Sequence, residues 1–136
     1  MTPTAGNNLR MADQQTVLIV DDEEIIRAIA RDILEMQGYQ ILEAGDGRQA
    51  VDLYRIHRDA IDLVILDMSM PVMGGKETFD LLAGVDNDVK VILSTGFADS
   101  DDIRQLQKRG VKAVIEKPFR VDELVSTIQH VLAPAL

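Results

Sequence analysis

Short aliphatic runs alternate with segments of helical periodicity along most of this chain. Five of the runs are short, largely β-branched and bounded by turn residues, as strands buried on both faces of a parallel sheet are. The predicted strands are 16–20, 39–44, 61–66, 89–93 and 113–116. Strands that alternate with helices are typical of βαβ units, so the pattern predicts an α/β fold built on a parallel sheet.

The segments that follow these five strands predict five helices. The first carries Ile25, Ile29, Ile33 and Met36 at helical spacing, so we expect them to form one apolar face, and Gly38 to end the helix. The second follows the Asp46-Gly47 turn, the third covers 76–83, the fourth is capped by Asp99 or Ser100 and ends at Gly110, and the fifth covers about 121–132.

Length and composition predict a single cytoplasmic domain. At 136 residues, with 46% apolar residues and no long apolar run, the chain fits one globular unit without a membrane span. Cysteine is absent, and no secretory signal opens the chain. The net charge of −9 argues against direct nucleic-acid binding and against an anionic membrane surface, both of which favour basic proteins.

The patterned region defines the domain boundaries. Residues 1–15 are polar and lack apolar periodicity, so we predict a disordered tail or linker there. The domain is predicted at 16–133, followed by a short tail at 134–136. The region holds no segment that could form an additional output domain.

Acidic residues follow two of the predicted strands. Asp21 and Asp22 come directly after the first strand, and Asp67 comes directly after the third. The carboxyl ends of parallel strands lie at the edge where open α/β sheets bind ligands. Three carboxylates crowded there would repel one another, and a hard divalent cation with oxygen ligands, usually Mg²⁺, resolves that repulsion. We therefore predict a metal site.

Two further strand ends carry polar residues, Thr95 after the fourth strand and Lys117 after the fifth. A carboxylate such as that of Asp67 can attack phosphorus and form an aspartyl phosphate. An ammonium and a hydroxyl can each bind an oxygen of the transferred phosphoryl group. Each residue type is common alone, and their order, each at the end of its own strand, indicates phosphoryl chemistry.

At these residues the chain resembles the receiver domain of two-component response regulators. The resemblance covers about 16–132 and rests on the segments VLIVDDEE, VILDMSMPVMGG, VILSTGF and EKPF, in the family's order. It implies a flavodoxin-like, doubly wound sheet of five parallel strands in the order 2-1-3-4-5, with helices on both faces.

The resemblance also assigns a role to each candidate residue. Asp67 is similar to the phosphoacceptor, Asp22 to the direct Mg²⁺ ligand and Asp21 to the ligand that acts mainly through water. The backbone carbonyl of Ser69 resembles the third protein ligand. Family register assigns the switch hydroxyl to Thr95 rather than the adjacent Ser94, and the phosphoryl-binding amine to Lys117, whose bond to Pro118 is usually cis in the family.

One position departs from the family pattern. The aromatic residue that reports movement of the switch hydroxyl lies three residues before the lysine in relatives, and here that position is Val114. The departure affects the coupling of Thr95 to the surface formed by the fourth helix, fifth strand and fifth helix. Phe97, two residues after Thr95, is a candidate substitute.

The implied function is a phosphorylation-dependent switch without a DNA-binding output domain. The implied partners are a histidine kinase or histidine phosphotransfer protein, which donates the phosphoryl group, and a downstream protein target. A homodimer through the surface just named is left open. The chain would catalyse only its own phosphorylation and dephosphorylation, so we do not expect a metabolic enzyme.

Alternative functions fit the residues less well. A haloacid-dehalogenase-type phosphatase needs an acid two residues after the nucleophile, where this chain has Ser69. A flavodoxin needs a phosphate-binding loop where Asp21 and its acidic neighbours would repel phosphate. A pseudo-receiver that binds partners without phosphorylation is supported only by Val114. The receiver of a hybrid histidine kinase also remains open, although the initial Met1 favours a stand-alone regulator.

Overall fold

The computed structural model describes residues 15–133 and contains one doubly wound α/β unit. The five strands form one parallel sheet in the order β2-β1-β3-β4-β5, as expected. In chain order the elements are β1 (Thr16–Val20), α1 (Glu24–Met36), β2 (Gln40–Ala44), α2 (Gly47–His57), β3 (Ile61–Asp67), α3 (Gly75–Val85), β4 (Val91–Thr95), α4 (Asp101–Lys108), β5 (Ala113–Glu116) and α5 (Val121–Leu132). The predicted tails lie outside the described residues, apart from Gln15.

The sheet is buried on both faces because β1, β3 and β4 consist almost entirely of aliphatic residues. Alternate residues of each strand enter two separate apolar clusters. Leu18, Val64 and Leu93 pack with residues of α2, α3 and α4 on one face, whereas Ile19, Ile65 and Ile92 face α1 and α5. This two-sided packing holds the carboxyl ends of the strands in one row.

The apolar face expected on α1 is wrong at three of its four positions, whereas Ile33 is partly buried against the core. Ala30 and Leu34 are buried against the sheet, while Ile25, Ile29 and Met36 are 74%, 46% and 85% exposed. Two apolar stripes lie side by side on this helix, and helical spacing alone does not determine which of them faces the core. The stripe that the sequence favoured therefore remains largely on the surface.

Strand and helix boundaries differ from the prediction by one or two residues. The largest difference is in β4, which runs from Val91 to Thr95 instead of 89–93, because its pairing with β3 places Val91 opposite Val64 and Ser94 opposite Asp67. Ser100, rather than Asp99, caps α4, since its hydroxyl accepts a hydrogen bond from the Ile103 amide. Thr95 is consequently the last residue of β4.

The start of α3 packs so closely on the end of β3 that only glycine fits. A Cβ atom on Gly75 would lie 2.8 Å from the Met68 Cα and 2.9 Å from the Asp67 carbonyl oxygen, whereas one on Gly84 meets nothing within 4 Å. We expect Gly75→Ala to lower the free energy of unfolding by about 2 kcal/mol through overpacking. Gly84→Ala, the matched control on the same helix, should raise it by about 0.5 kcal/mol. Urea denaturation measures the free energy of unfolding of both variants. A Gly75→Ala variant as stable as Gly84→Ala would contradict the prediction.

A buried tyrosine makes stability depend on alkaline pH. The Tyr54 hydroxyl donates to Asp86 at 3.2 Å, and burial, together with the Asp86 charge, raises the pKa of Tyr54 to about 12. Tyrosine in the unfolded chain loses its hydroxyl proton near pH 10, whereas Tyr54 in the folded chain keeps this proton to higher pH. Because the unfolded state then binds fewer protons than the folded state, stability falls as pH rises above 10. We expect a loss of about 2 kcal/mol between pH 10 and 12. Tyr54→Phe should remove this loss in urea titrations, and an unchanged loss would contradict the prediction.

Among the described residues, no helix has both the length and the apolar character required to cross a membrane.

Candidate functional site

Three carboxylates meet at the carboxyl edge of the sheet. Asp21 follows β1, Asp22 is its neighbour, and Asp67 is the last residue of β3. One oxygen from each of the three lies within 4.8 Å of the others. Asp21 and Asp67 are each 3% exposed, whereas Asp22 is exposed to solvent. The structure therefore brings together the three side chains that the sequence predicted as a metal site.

The donor set fits a hard divalent cation. Carboxylate oxygens at this spacing, one of them open to water, match the ligand type and partial hydration that Mg²⁺ prefers. Ser69 lies in the loop after β3, where its amide donates to Asp67 Oδ1 at 3.1 Å and so fixes one oxygen of that carboxylate. The role of the Ser69 carbonyl as a ligand stays a prediction.

Lys117 provides the positive charge within this acidic cluster. Its Nζ donates to Asp21 Oδ2 at 2.7 Å and lies 3.3 Å from Asp67 Oδ1, with 18% of the side chain exposed. The Lys117 amide donates to the Thr95 carbonyl at 2.7 Å, and the Lys117-Pro118 bond is cis, as the resemblance implied. The ammonium thus bridges the carboxylates that follow β1 and β3.

Burial and charge pairing together shift the pKa values of Asp67 and Lys117. Desolvation raises the pKa of Asp67 and the Asp21 charge adds to this effect, while the Ser69 amide and the Lys117 ammonium oppose it. Burial would lower the pKa of Lys117, but its hydrogen bond to Asp21 and the charge of Asp67 raise the pKa above its usual value. Lys117 therefore remains charged beside the buried Asp67.

Thr95 is buried at the end of β4 and contacts the loop that follows it. Its Oγ1 accepts a hydrogen bond from the Phe97 amide at 3.0 Å, so this hydroxyl is linked directly to the backbone of Phe97. The Phe97 ring is 79% exposed, and Val114 is half-buried against the core. Ser94, the competing hydroxyl, is buried with no hydrogen-bond partner among the described residues.

Arg27 also contacts the acidic loop, although the sequence pattern did not predict it as part of the site. Its Nη1 donates to the Asp21 carbonyl at 2.7 Å, and its Nε donates to Glu43 Oε1 on β2 at 3.3 Å. The position of Arg27 near the start of the helix that follows the acidic pair is the sequence feature that could have indicated this contact. Periodicity assigns such a residue only to a helix surface.

The fold and this edge define a doubly wound α/β protein with a cluster of three carboxylates and an adjoining lysine at the carboxyl ends of its strands. Residues 17–129 match the family model described as the response regulator receiver domain. This chain belongs to that family, the receiver domains of two-component response regulators.

Relatives of similar length support the assignment. Sporulation initiation phosphotransferase F of Bacillus subtilis is 32% identical over 118 residues, covering 87% of this chain and 94% of the relative. Polar-differentiation response regulator DivK of Brucella anthropi is 33% identical over 123 residues, covering 89% and 98%. The crystal structure of the CheX-CheY-BeF₃-Mg²⁺ complex from Borrelia burgdorferi matches with a TM-score of 0.84 and 28% identity, covering 88% and 90%.

Proposed function

We propose that this receiver domain is a phosphorylation-dependent signalling switch that accepts a phosphoryl group on Asp67 with Mg²⁺. The observation that supports this most directly is the cluster of Asp21, Asp22 and Asp67 with Lys117 between two of them. A nucleophilic carboxylate, a cation site and an ammonium are the groups that phosphoryl transfer to aspartate requires.

The chemistry follows from the positions of these groups. An Asp67 oxygen forms a bond to phosphorus while the bond from phosphorus to the donor nitrogen breaks, and the donor imidazole leaves with its electron pair and takes up a proton. Lys117 and the Thr95 hydroxyl bind oxygens of the transferred group and orient it. Mg²⁺, held by Asp21, Asp22, Asp67 and the Ser69 carbonyl, would supply charge neutralisation. Water later attacks phosphorus, the bond between phosphorus and the Asp67 oxygen breaks, and inorganic phosphate leaves while the Asp67 carboxylate is restored.

Exposed apolar side chains beside this acidic edge support a protein donor. Ile25 lies in the first turn of α1, three residues after Asp22, and Val72 and Phe97 lie in the loops after β3 and β4. A protein can bury such side chains around the phosphoacceptor, whereas a small phosphodonor cannot. The proposed donor is a histidine kinase or histidine phosphotransfer protein, and the phosphorylated form would bind a downstream protein target.

The remaining functional assignments stay predictions. Self-phosphorylation and self-dephosphorylation would be the only reactions catalysed. The predicted location is cytoplasmic, and the α4-β5-α5 face is the predicted surface for a homodimer. A stand-alone regulator and the receiver of a hybrid kinase would share the same site chemistry. The pseudo-receiver alternative predicts that no phosphoryl group is incorporated.

Intact mass spectrometry after incubation with acetyl phosphate tests the proposal. We expect the mass to rise by one phosphoryl group in Mg²⁺ and to remain unchanged when the metal is removed with a chelator. The adduct should disappear in hydroxylamine, which cleaves acyl phosphates. Absence of the adduct with acetyl phosphate and with phosphoramidate would overturn the proposed function.

A further inference from the structure

Arg27 connects the acidic loop to the neighbouring strand through a forked contact. The Nη1 bond reaches the carbonyl of Asp21, which belongs to the peptide group between Asp21 and Asp22. The Nε bond reaches Glu43, whose other carboxylate oxygen accepts from Arg31 at 3.0 Å. One guanidinium therefore ties the peptide that joins two of the candidate ligands to a fixed residue of β2.

The surroundings of Arg27 keep this contact in place. Only 18% of the Arg27 side chain and 29% of the Glu43 side chain are exposed, so their ion pair is more buried than an ordinary surface ion pair. The Glu23 amide donates to Asp21 Oδ1 at 2.9 Å, which links the orientation of that carboxylate to the same loop. Rotation of the peptide between Asp21 and Asp22 would break the Arg27 bond and change the direction of both carboxylates.

We infer that Arg27 is a positioning residue for the cation site. Its guanidinium holds the peptide between Asp21 and Asp22 in the orientation in which the two carboxylates bind Mg²⁺. This inference rests on the proposed function because it assumes that the three carboxylates bind Mg²⁺. Groups that orient metal ligands typically change metal affinity by 10- to 100-fold when removed. Arg27 does so through a backbone carbonyl, without contact with the metal.

The sign of the effect separates positioning from electrostatics. Arg27 is a cation close to an acidic site, so its charge alone opposes Mg²⁺ binding, and its removal would tighten binding if charge were its only role. A positioning role predicts the opposite result. Lysine keeps the charge but has one donor nitrogen, which cannot reproduce the fork to the Asp21 carbonyl and Glu43.

Isothermal titration calorimetry with MgCl₂ on the full chain provides the test. We expect Arg27→Lys to weaken Mg²⁺ binding by about tenfold and Arg27→Met to weaken it by a similar factor. Arg31→Lys and Arg31→Met are the matched controls, because Arg31 pairs with the same Glu43 and does not contact Asp21. These controls should bind Mg²⁺ within about twofold of the wild type.

A second measurement on the metal-free protein detects the loop itself. Hydrogen exchange of the Glu23 amide should be faster in Arg27→Lys than in the wild type and in Arg31→Lys, while exchange in the sheet core is unchanged. Unchanged Mg²⁺ affinity in Arg27→Lys, or tighter binding in Arg27→Met, would overturn the positioning role while the proposed function stands. A wild-type protein that binds no Mg²⁺ would overturn the metal site of the proposed function and this inference together.

Discussion

Asp67→Asn is expected to abolish phosphoryl incorporation from acetyl phosphate in the presence of Mg²⁺. The amide has no anionic oxygen to attack phosphorus, and removal of a nucleophile typically costs a factor on the order of 10³ or more. Folding should not suffer, because the Asp67 carboxylate is buried, its pKa is raised by desolvation, and Asn relieves its repulsion from Asp21. Intact mass spectrometry measures incorporation, and thermal unfolding without metal should show a midpoint no lower than that of the wild type.

Asp62→Asn is the matched control for this substitution. Asp62 lies on β3 as well, at the opposite end of the strand, where its carboxylate accepts a hydrogen bond from the Thr16 amide at 2.9 Å. Phosphoryl incorporation in Asp62→Asn should equal that of the wild type. Incorporation at the wild-type rate in Asp67→Asn would assign the acceptor to another residue and refute the central role of Asp67.

Lys117→Met should change phosphoryl incorporation and Mg²⁺ affinity in opposite directions and should also lower the stability of the metal-free protein. Phosphoryl incorporation should fall by about 10²-fold or more, because an ammonium aimed at the developing charge is lost. Mg²⁺ affinity should rise, because the competing cation that contacts Asp21 and Asp67 is gone. In metal-free buffer the free energy of unfolding should drop by about 2 kcal/mol, since two buried carboxylates lose their counter-charge.

Three measurements on the same preparation check this result. Calorimetry gives the Mg²⁺ affinity, mass spectrometry the rate of incorporation and urea denaturation the stability. Lys112→Met is the control. Lys112 is exposed just before β5, so this substitution removes the same charge at a position away from the carboxylates. If both variants lost the same small fraction of activity, Lys117 would act only through net charge, contrary to its proposed contact with the phosphoryl group.

The sheet and the ends of its strands were predictable because they depend on local pattern. The short, β-branched aliphatic runs before Asp21 and before Asp67 are typical of strands buried on both faces of a parallel sheet. The sheet order that the resemblance implied is confirmed. Once the strands are parallel, Asp21, Asp67 and Lys117 must follow strand ends at the same edge. Pattern and topology together were therefore sufficient to predict the acidic cluster.

Side-chain geometry was not predictable from the same information. The orientation of α1 depends on a rotation of about one residue, which decides whether Ile29 or Ala30 faces the sheet, and both stripes have helical period. The contact of Arg27 with a backbone carbonyl leaves no periodic signal. The link from Thr95 to the Phe97 amide also depends on a loop conformation that composition does not specify.

The hydrogen bond between Lys117 and Asp21 joins residues 96 positions apart, which follow the last strand and the first. The side chains proposed to bind the cation and the phosphoryl group therefore come together only when the entire sheet has formed, and a partly synthesised or partly unfolded chain lacks the bridge. Because Mg²⁺ would bind only this completed arrangement, each increment of bound metal also raises the stability of the whole domain by mass action. Metal binding by this edge would thus serve as a direct report that the chain has finished folding.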